Sequence, residues 1–116
     1  MSTITRIEPN HRRSRVVIHG DTIYPAGQVA SDTNGDITHQ TKGCLANIDH
    51  VLALAGSDKS KILSATIWLR DMTNFKAMNE VWDAWIDPEN PPARSCGEVK
   101  LARPDLLIEI IIIAAR

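Results

Sequence analysis

The spacing of hydrophobic and polar positions changes several times along this chain, and each change marks an element. Val16-Val17-Ile18-His19 and Thr22-Ile23-Tyr24 read as two short strands joined by a tight Gly20-Asp21 turn. The chain stays extended through Tyr24-Pro25-Ala26-Gly27-Gln28-Val29-Ala30. There Pro25 favours an edge or bulge, and Gly27 admits close approach of another backbone or a ligand. Ser31 to Asp36 is a polar turn. From about Thr38 to Ala55 the period becomes helical: Leu45, Ile48, Val51, Leu52 and Ala55 recur at spacings of three and four, and Gly56 is placed to end the helix. Ile62 to Leu69 returns to a strand, with Leu63, Ala65, Ile67 and Leu69 on one side. A second helix is predicted from about Asn74 to Trp85, capped by Thr73 or Asn74, with Phe75, Met78, Trp82 and Trp85 on one stripe. Pro88, Pro91 and Pro92 stop it.

Residues 92–113 read as a β-hairpin turning at Ala102-Arg103-Pro104-Asp105. In that register residue 101 faces 106, 99 faces 108 and 98 faces 109. Alternation then puts Arg94, Cys96, Glu98, Glu109, Ile111 and Ile113 on one face. Arg94 and Glu109 would lie roughly 13 Å apart within such a hairpin, too far for a direct ion pair. If both act on one small ligand, they come from different subunits. The resulting order, ββ(β)αβαββ, predicts an α+β fold: two helices packed on one face of a mostly antiparallel or mixed sheet. The last strand is apolar on both faces, and two helices cover only one side of a sheet. A homo-oligomer is therefore expected, with a second copy covering the other side.

Bulk composition narrows the function classes. A length of 116 residues suits a single domain, 1–116, that buries a core without disulfides or metal. The net charge of −1 supplies no field toward nucleic acid or membrane. The longest apolar run, Ile110 to Ala115, falls far short of the roughly 20 residues of a membrane helix. Met-Ser-Thr-Ile-Thr-Arg lacks the apolar stretch of a signal peptide, so a soluble, cytoplasmic protein is expected. Cys44 and Cys96 suggest no disulfide framework. His39 and His50 lie about 16 Å apart along the first helix, so they share no ion, and no zinc spacing or phosphate loop is present. Arg12, Arg13 and Arg15 form the one basic run, either a solvated patch or a contact for a carboxylate or RNA.

Two residues stand out chemically. Glu109 is a lone carboxylate among Leu106, Leu107, Ile108, Ile110, Ile111, Ile112 and Ile113, and is expensive to bury unless paired, hydrogen-bonded or protonated. It is either half of a structural pair between subunits or a group of raised pKa that passes a proton or positions a water. Arg94 offers paired N–H donors that match a carboxylate, or else it forms a surface ion pair. Cys96, two residues from Arg94, reads as a small buried strand residue; no histidine is placed to activate it as a nucleophile.

Four segments together resemble the Rid/YjgF family of reactive-intermediate deaminases: Tyr24-Pro-Ala-Gly-Gln-Val-Ala, Phe75-Lys-Ala-Met-Asn79, Pro92-Ala-Arg-Ser-Cys and Leu107-Ile-Glu109-Ile. They lie in the family's order. The resemblance implies a chorismate-mutase-like fold assembled as a homotrimer, with ligand clefts between subunits and no cofactor. It implies hydrolysis of enamines and imines of the 2-aminoacrylate type to a 2-keto acid and ammonia. Arg94 would clamp the substrate carboxylate, and Glu109 would orient or deprotonate the attacking water. The backbone at Gly27 and Cys96 would line the pocket, and Asn79 matches an asparagine of mainly structural role. One departure stands out: archetypal members carry a tyrosine shortly before the first strand, where this chain has Arg13, a residue able to bind a second acidic group. The alternatives are a non-catalytic protein that binds a 2-keto acid or another small carboxylate, and an RNA-cleaving translation inhibitor.

Overall fold

A computed structural model describes residues 3–116 of the chain. Its elements run β1 (Ile4–Ile7), β2 (Val16–His19), β3 (Thr22–Pro25), α1 (Ile37–Leu54), β4 (Ile62–Leu69), α2 (Phe75–Trp85), β5 (Ala93–Glu98) and β6 (Ile108–Ala115). The strands form one mixed sheet in the order β1-β2-β3-β6-β4-β5. The core is the layer between this sheet and the two helices. Leu45, Ile48, Val51 and Leu52 of α1, with Met78 and Trp82 of α2, pack against Ala65, Ile67 and Leu69 of β4 and Ile108, Ile110 and Ile112 of β6. This is the expected α+β layering.

Local signals produce the elements as read. Asp36 caps α1 by accepting the His39 N–H at 3.0 Å. At its other end Gly56 takes φ +75°, and two bonds close the turn: Gly56 N–H to the Ala53 carbonyl and Ser57 N–H to the Leu52 carbonyl. This is the Schellman geometry that a glycine makes available. The Gly20-Asp21 turn joins β2 and β3 in the expected antiparallel register.

Three features differ from the sequence reading. The strand β1, too short to show a strand pattern in the sequence, pairs antiparallel with β2 through Ile4–His19 to Ile7–Val16. In β4 a bulge between Ile62 and Ser64 turns Leu63 out of the core row, leaving it 52% exposed. The largest correction concerns the C-terminal hairpin. β5 and β6 are not neighbours, because β4 lies between them, parallel to β5 and antiparallel to β6. A helix between two strands allows them to run parallel, and α2 serves as the crossover from β4 to β5. The apolar β6 thereby gains a strand partner on each side, β3 and β4.

The turn near Pro104 does form, but it lies in the connection that leads from β5 past β4 to β6. Buried Gln40 of α1 holds that connection: its amide nitrogen donates to the carbonyls of Thr33 and Asp105, and its oxygen accepts the Leu107 N–H, each at 2.9 Å. Arg70 adds a bond from Nε to the Leu106 carbonyl at 2.6 Å. These contacts set the point at which β6 begins, and with it the face to which each β6 side chain points.

Candidate functional site

Strand alternation sorts β6 into two rows. Ile108, Ile110, Ile112 and Ala114 point at the helices and are buried. Glu109, Ile111 and Ile113 point the other way and are half-buried, opposite Trp68, Thr66 and Ser64 of β4. Glu109 therefore sits on the sheet face that the helices leave uncovered. Among the described residues its carboxylate has neither a hydrogen-bond partner nor an ion pair, and partial burial raises its pKa.

Gly27 explains how this carboxylate is confined. Gln28 exchanges two backbone hydrogen bonds with Ile110, each at 2.9 Å, which lays residues 26–30 beside β6. The segment is pinned further by the Cys44 thiol, which donates to the Gln28 carbonyl at 3.1 Å, and by Asn47 Nδ2, which donates to the Val29 carbonyl at 2.8 Å. A Cβ on Gly27 would overlap Glu109 Oε2 and stand 3.2 Å from Glu109 Cδ. The close approach expected at Gly27 is thus made by the Glu109 side chain. Burial pushes the Cys44 thiol up to about 12, which fits a structural role.

Gly27 and Glu109 open onto a cavity of about 630 Å³, lined also by Glu8, Arg13, Arg15, Ser31 and Asn47. Arg15 Nη1 lies 3.4 Å from Glu8 Oε1. Asn10 shapes the loop that delivers the arginines: its side chain accepts the N–H groups of Arg12 and Arg13, and its own N–H donates to the Arg13 carbonyl at 2.8 Å. Sequence reasoning singled out Arg13 and Gly27 but not Glu8, Asn10, Ser31 or Asn47. The loop depends on β1, whose four residues carry little periodic signal. The Glu-Pro-Asn stretch was the available hint of a turn.

Arg94 lies elsewhere. It is on the edge strand β5, opposite Ala65, which in turn pairs with Ile112. Directly paired residues share a face, so Arg94 and Cys96 lie on the helix side of the sheet and Glu109 on the other. The single face expected from the hairpin register is therefore overturned, because β4 intervenes and resets the phase. Two strands across and three residues along, the two positions are roughly 14 Å apart. The Arg94 guanidinium carbon stands 5.5 Å from the ring centre of Trp82 and 6.0 Å from that of Phe75, a cation–π arrangement. No acid pairs with it among the described residues. Asn79, between those aromatics in sequence, carries a buried amide oxygen without a hydrogen-bond partner. The Cys96 thiol is raised by burial, which outweighs the lowering effect of Arg94, so it is poorly suited to act as a thiolate nucleophile. No cluster of metal-ligating side chains occurs among the described residues, and no helix there is long and apolar enough to cross a membrane.

Residues 3–116 match the family model described as endoribonuclease L-PSP. The chain belongs to this family, known also as Rid/YjgF. A RutC family protein of Haemophilus influenzae is 47% identical over 113 residues, covering 97% of each chain. The 3-aminoacrylate deaminase RutC of Acinetobacter baylyi is 37% identical over 98 residues, covering 79% of this chain and 77% of its own. The crystal structure of NMB1025, a YjgF family member from Neisseria meningitidis, superimposes with a TM-score of 0.95 at 40% identity, covering 98% of this chain and 95% of that one. Within this Rid/YjgF fold the four family segments fall at β3 and the extended run beside β6, the start of α2, β5, and β6 itself.

Proposed function

We propose that this chain hydrolyses enamines and imines of the 2-aminoacrylate type to a 2-keto acid and ammonia, in clefts between the subunits of a homotrimer. The observation that carries the reading is Glu109: a carboxyl in an isoleucine strand, with raised pKa and no partner of its own, facing a cavity. Among the described residues of its own chain no structural partner satisfies it, which leaves the carboxylate to a bound ligand or to a neighbouring subunit. An unpartnered one is suited to accepting a proton from water and returning it. The similarity to a relative named 3-aminoacrylate deaminase supports hydrolytic deamination of an enamine acid, in that relative one with its nitrogen on C3.

The imine carbon is already electrophilic, so one positioned water and one proton carrier suffice and no cofactor is required. Glu109 takes a proton as the water oxygen bonds to the imine carbon, and the nitrogen is protonated. The carbinolamine then loses ammonia as the C–N bond breaks and the carbonyl forms. Arg94 holds the substrate carboxylate, its guanidinium set beside the Trp82 and Phe75 rings and paired with no described acid. Since Arg94 and Glu109 occupy opposite faces of one sheet, the reading takes Arg94 from the neighbouring subunit. The half-buried row of Trp68, Ile111 and Ile113 supports an assembly that covers the Glu109 face.

The direct test is keto-acid release from freshly generated 2-aminoacrylate. The protein should accelerate release over buffer; no acceleration, with retained binding of a 2-keto acid, would make this a carboxylate-binding protein. Gly27→Ala offers an internal check. The added methyl displaces the end of a flexible side chain rather than backbone, so unfolding should change by less than about 1 kcal/mol. Turnover should nonetheless fall by about tenfold or more, because a displacement near 1 Å at a reacting group is enough for such a loss.

A further inference from the structure

We infer that the cavity selects imines that carry a second carboxylate, those of amino dicarboxylic acids, with Arg13 as the residue that recognises the distal acid. The inference rests on the deaminase reading and adds a substrate class to it.

The charge pattern of the cavity leads there. Four ionisable side chains line it: Glu8, Arg13, Arg15 and Glu109. Glu8 lies beside Arg15 at 3.4 Å and offsets its charge. Among the described residues no acid pairs with Arg13, so its guanidinium is unclaimed, and with Glu109 ionised the four charges of the wall sum to zero until a second anion enters. Its backbone is held: Asn10 accepts the Arg13 N–H at 2.9 Å and donates to its carbonyl at 2.8 Å. Arg15 is tied on both sides, its N–H to the Ile7 carbonyl at 3.0 Å and its carbonyl to the Ala26 N–H at 2.9 Å, next to Gly27. The loop that carries Arg13 is therefore fixed to the same segment that confines Glu109.

Size points the same way. The cavity measures about 630 Å³. At roughly 30 Å³ for each water-sized group, a three-carbon imine takes less than about 200 Å³, and the rest of the cleft is left to a longer substrate or to the neighbouring subunit. A longer substrate with its reacting carbon at Glu109 and its α-carboxylate on Arg94 of the neighbouring subunit has its distal end free to reach the Arg13 wall. One unpaired guanidinium matches one monoanion. A phosphate dianion would bring excess negative charge close to Glu8 and Glu109, so a carboxylate is the better fit. The chemical step is unchanged: water adds to the C=N bond, the nitrogen gains the protons, and ammonia leaves.

The test uses imines generated in place by amino-acid oxidases from alanine and from aspartate or glutamate, with keto-acid release followed for the native protein, Arg13→Met and Arg13→Lys. The native protein is expected to favour the dicarboxylic imine by about tenfold or more in kcat/KM, the usual worth of one charge-assisted contact. Arg13→Met should erase that ratio, mainly through KM, and Arg13→Lys should restore part of it. Equal rates on both imines, or a ratio that Arg13→Met leaves unchanged, would overturn the inference while the deaminase reading stands. Acceleration of neither imine would overturn both.

Discussion

Glu109→Gln is expected to lower kcat for imine hydrolysis by about 10²–10⁴-fold, the range associated with loss of a positioned acid–base group. The amide keeps the size of the carboxyl, and the carboxylate has no described hydrogen bond or ion pair to lose, so the fold should be retained. Linkage makes the second half of this prediction. Burial raises the folded-state pKa of Glu109, so its stabilising contribution is full below the unfolded value and is lost as pH rises through the folded value. At neutral pH the ionised form opposes folding, and the glutamine variant should unfold no more readily than the native chain. The base form, for its part, disappears as pH falls through the raised pKa. The acid limb of kcat/KM should therefore lie above the ordinary glutamate range and vanish in the variant. Native-like rates in Glu109→Gln would remove this residue from the chemistry.

The second large effect tests whether the proposed site is divided between subunits. Under the proposed function Arg94→Ala would remove the contact to the substrate carboxylate, and it is expected to depress kcat/KM by about 10²-fold or more. Each variant alone should then be nearly inactive. A site built from Arg94 of one subunit and Glu109 of its neighbour is intact whenever an Arg94→Ala subunit supplies the glutamate and a Glu109→Gln subunit supplies the arginine. Co-refolding the two in equal amounts should restore about a quarter of native activity in a symmetric ring. Arg94 and Glu109 acting within one chain would leave the mixture inactive. The geometry favours recovery, since the two side chains leave opposite faces of one sheet, on strands separated by β4.

Much of this architecture was legible in the chain because it rests on local rules. The α1 stripe from Leu45 to Leu52, the stop at Gly56 and the β2–β3 turn at Gly20 are set by residues only a few positions apart. Glu109 announced itself by composition alone, a single charge in a strand of isoleucines, and Gly27 by its place in an extended run. The pairing of β5 with β4 was harder to see. The order strand, helix, strand from Ile62 to Glu98 did carry the sign of a parallel crossover. The turn residues before β6 suggested a hairpin instead. Sequence neighbours compete with distant strands for hydrogen-bond partners, and that competition is decided by the burial of β6 between β3 and β4.

The sequence by itself therefore determined the helices and all strands but β1, the residues whose chemistry stands out, and the two apolar faces of β6. Only the tertiary structure decided where those residues meet. Alternation assigns a side chain to a face relative to its strand partner, so replacing one partner by another moved Arg94 and Cys96 to the helix side while Glu109 stayed on the open side. The cavity beside Glu109 depends likewise on β1, on the Asn10 turn and on the Gln28–Ile110 bridge, which joins positions about eighty residues apart. Local periodicity holds no information about such pairings, because they follow from which apolar surfaces can be buried together when the whole chain closes.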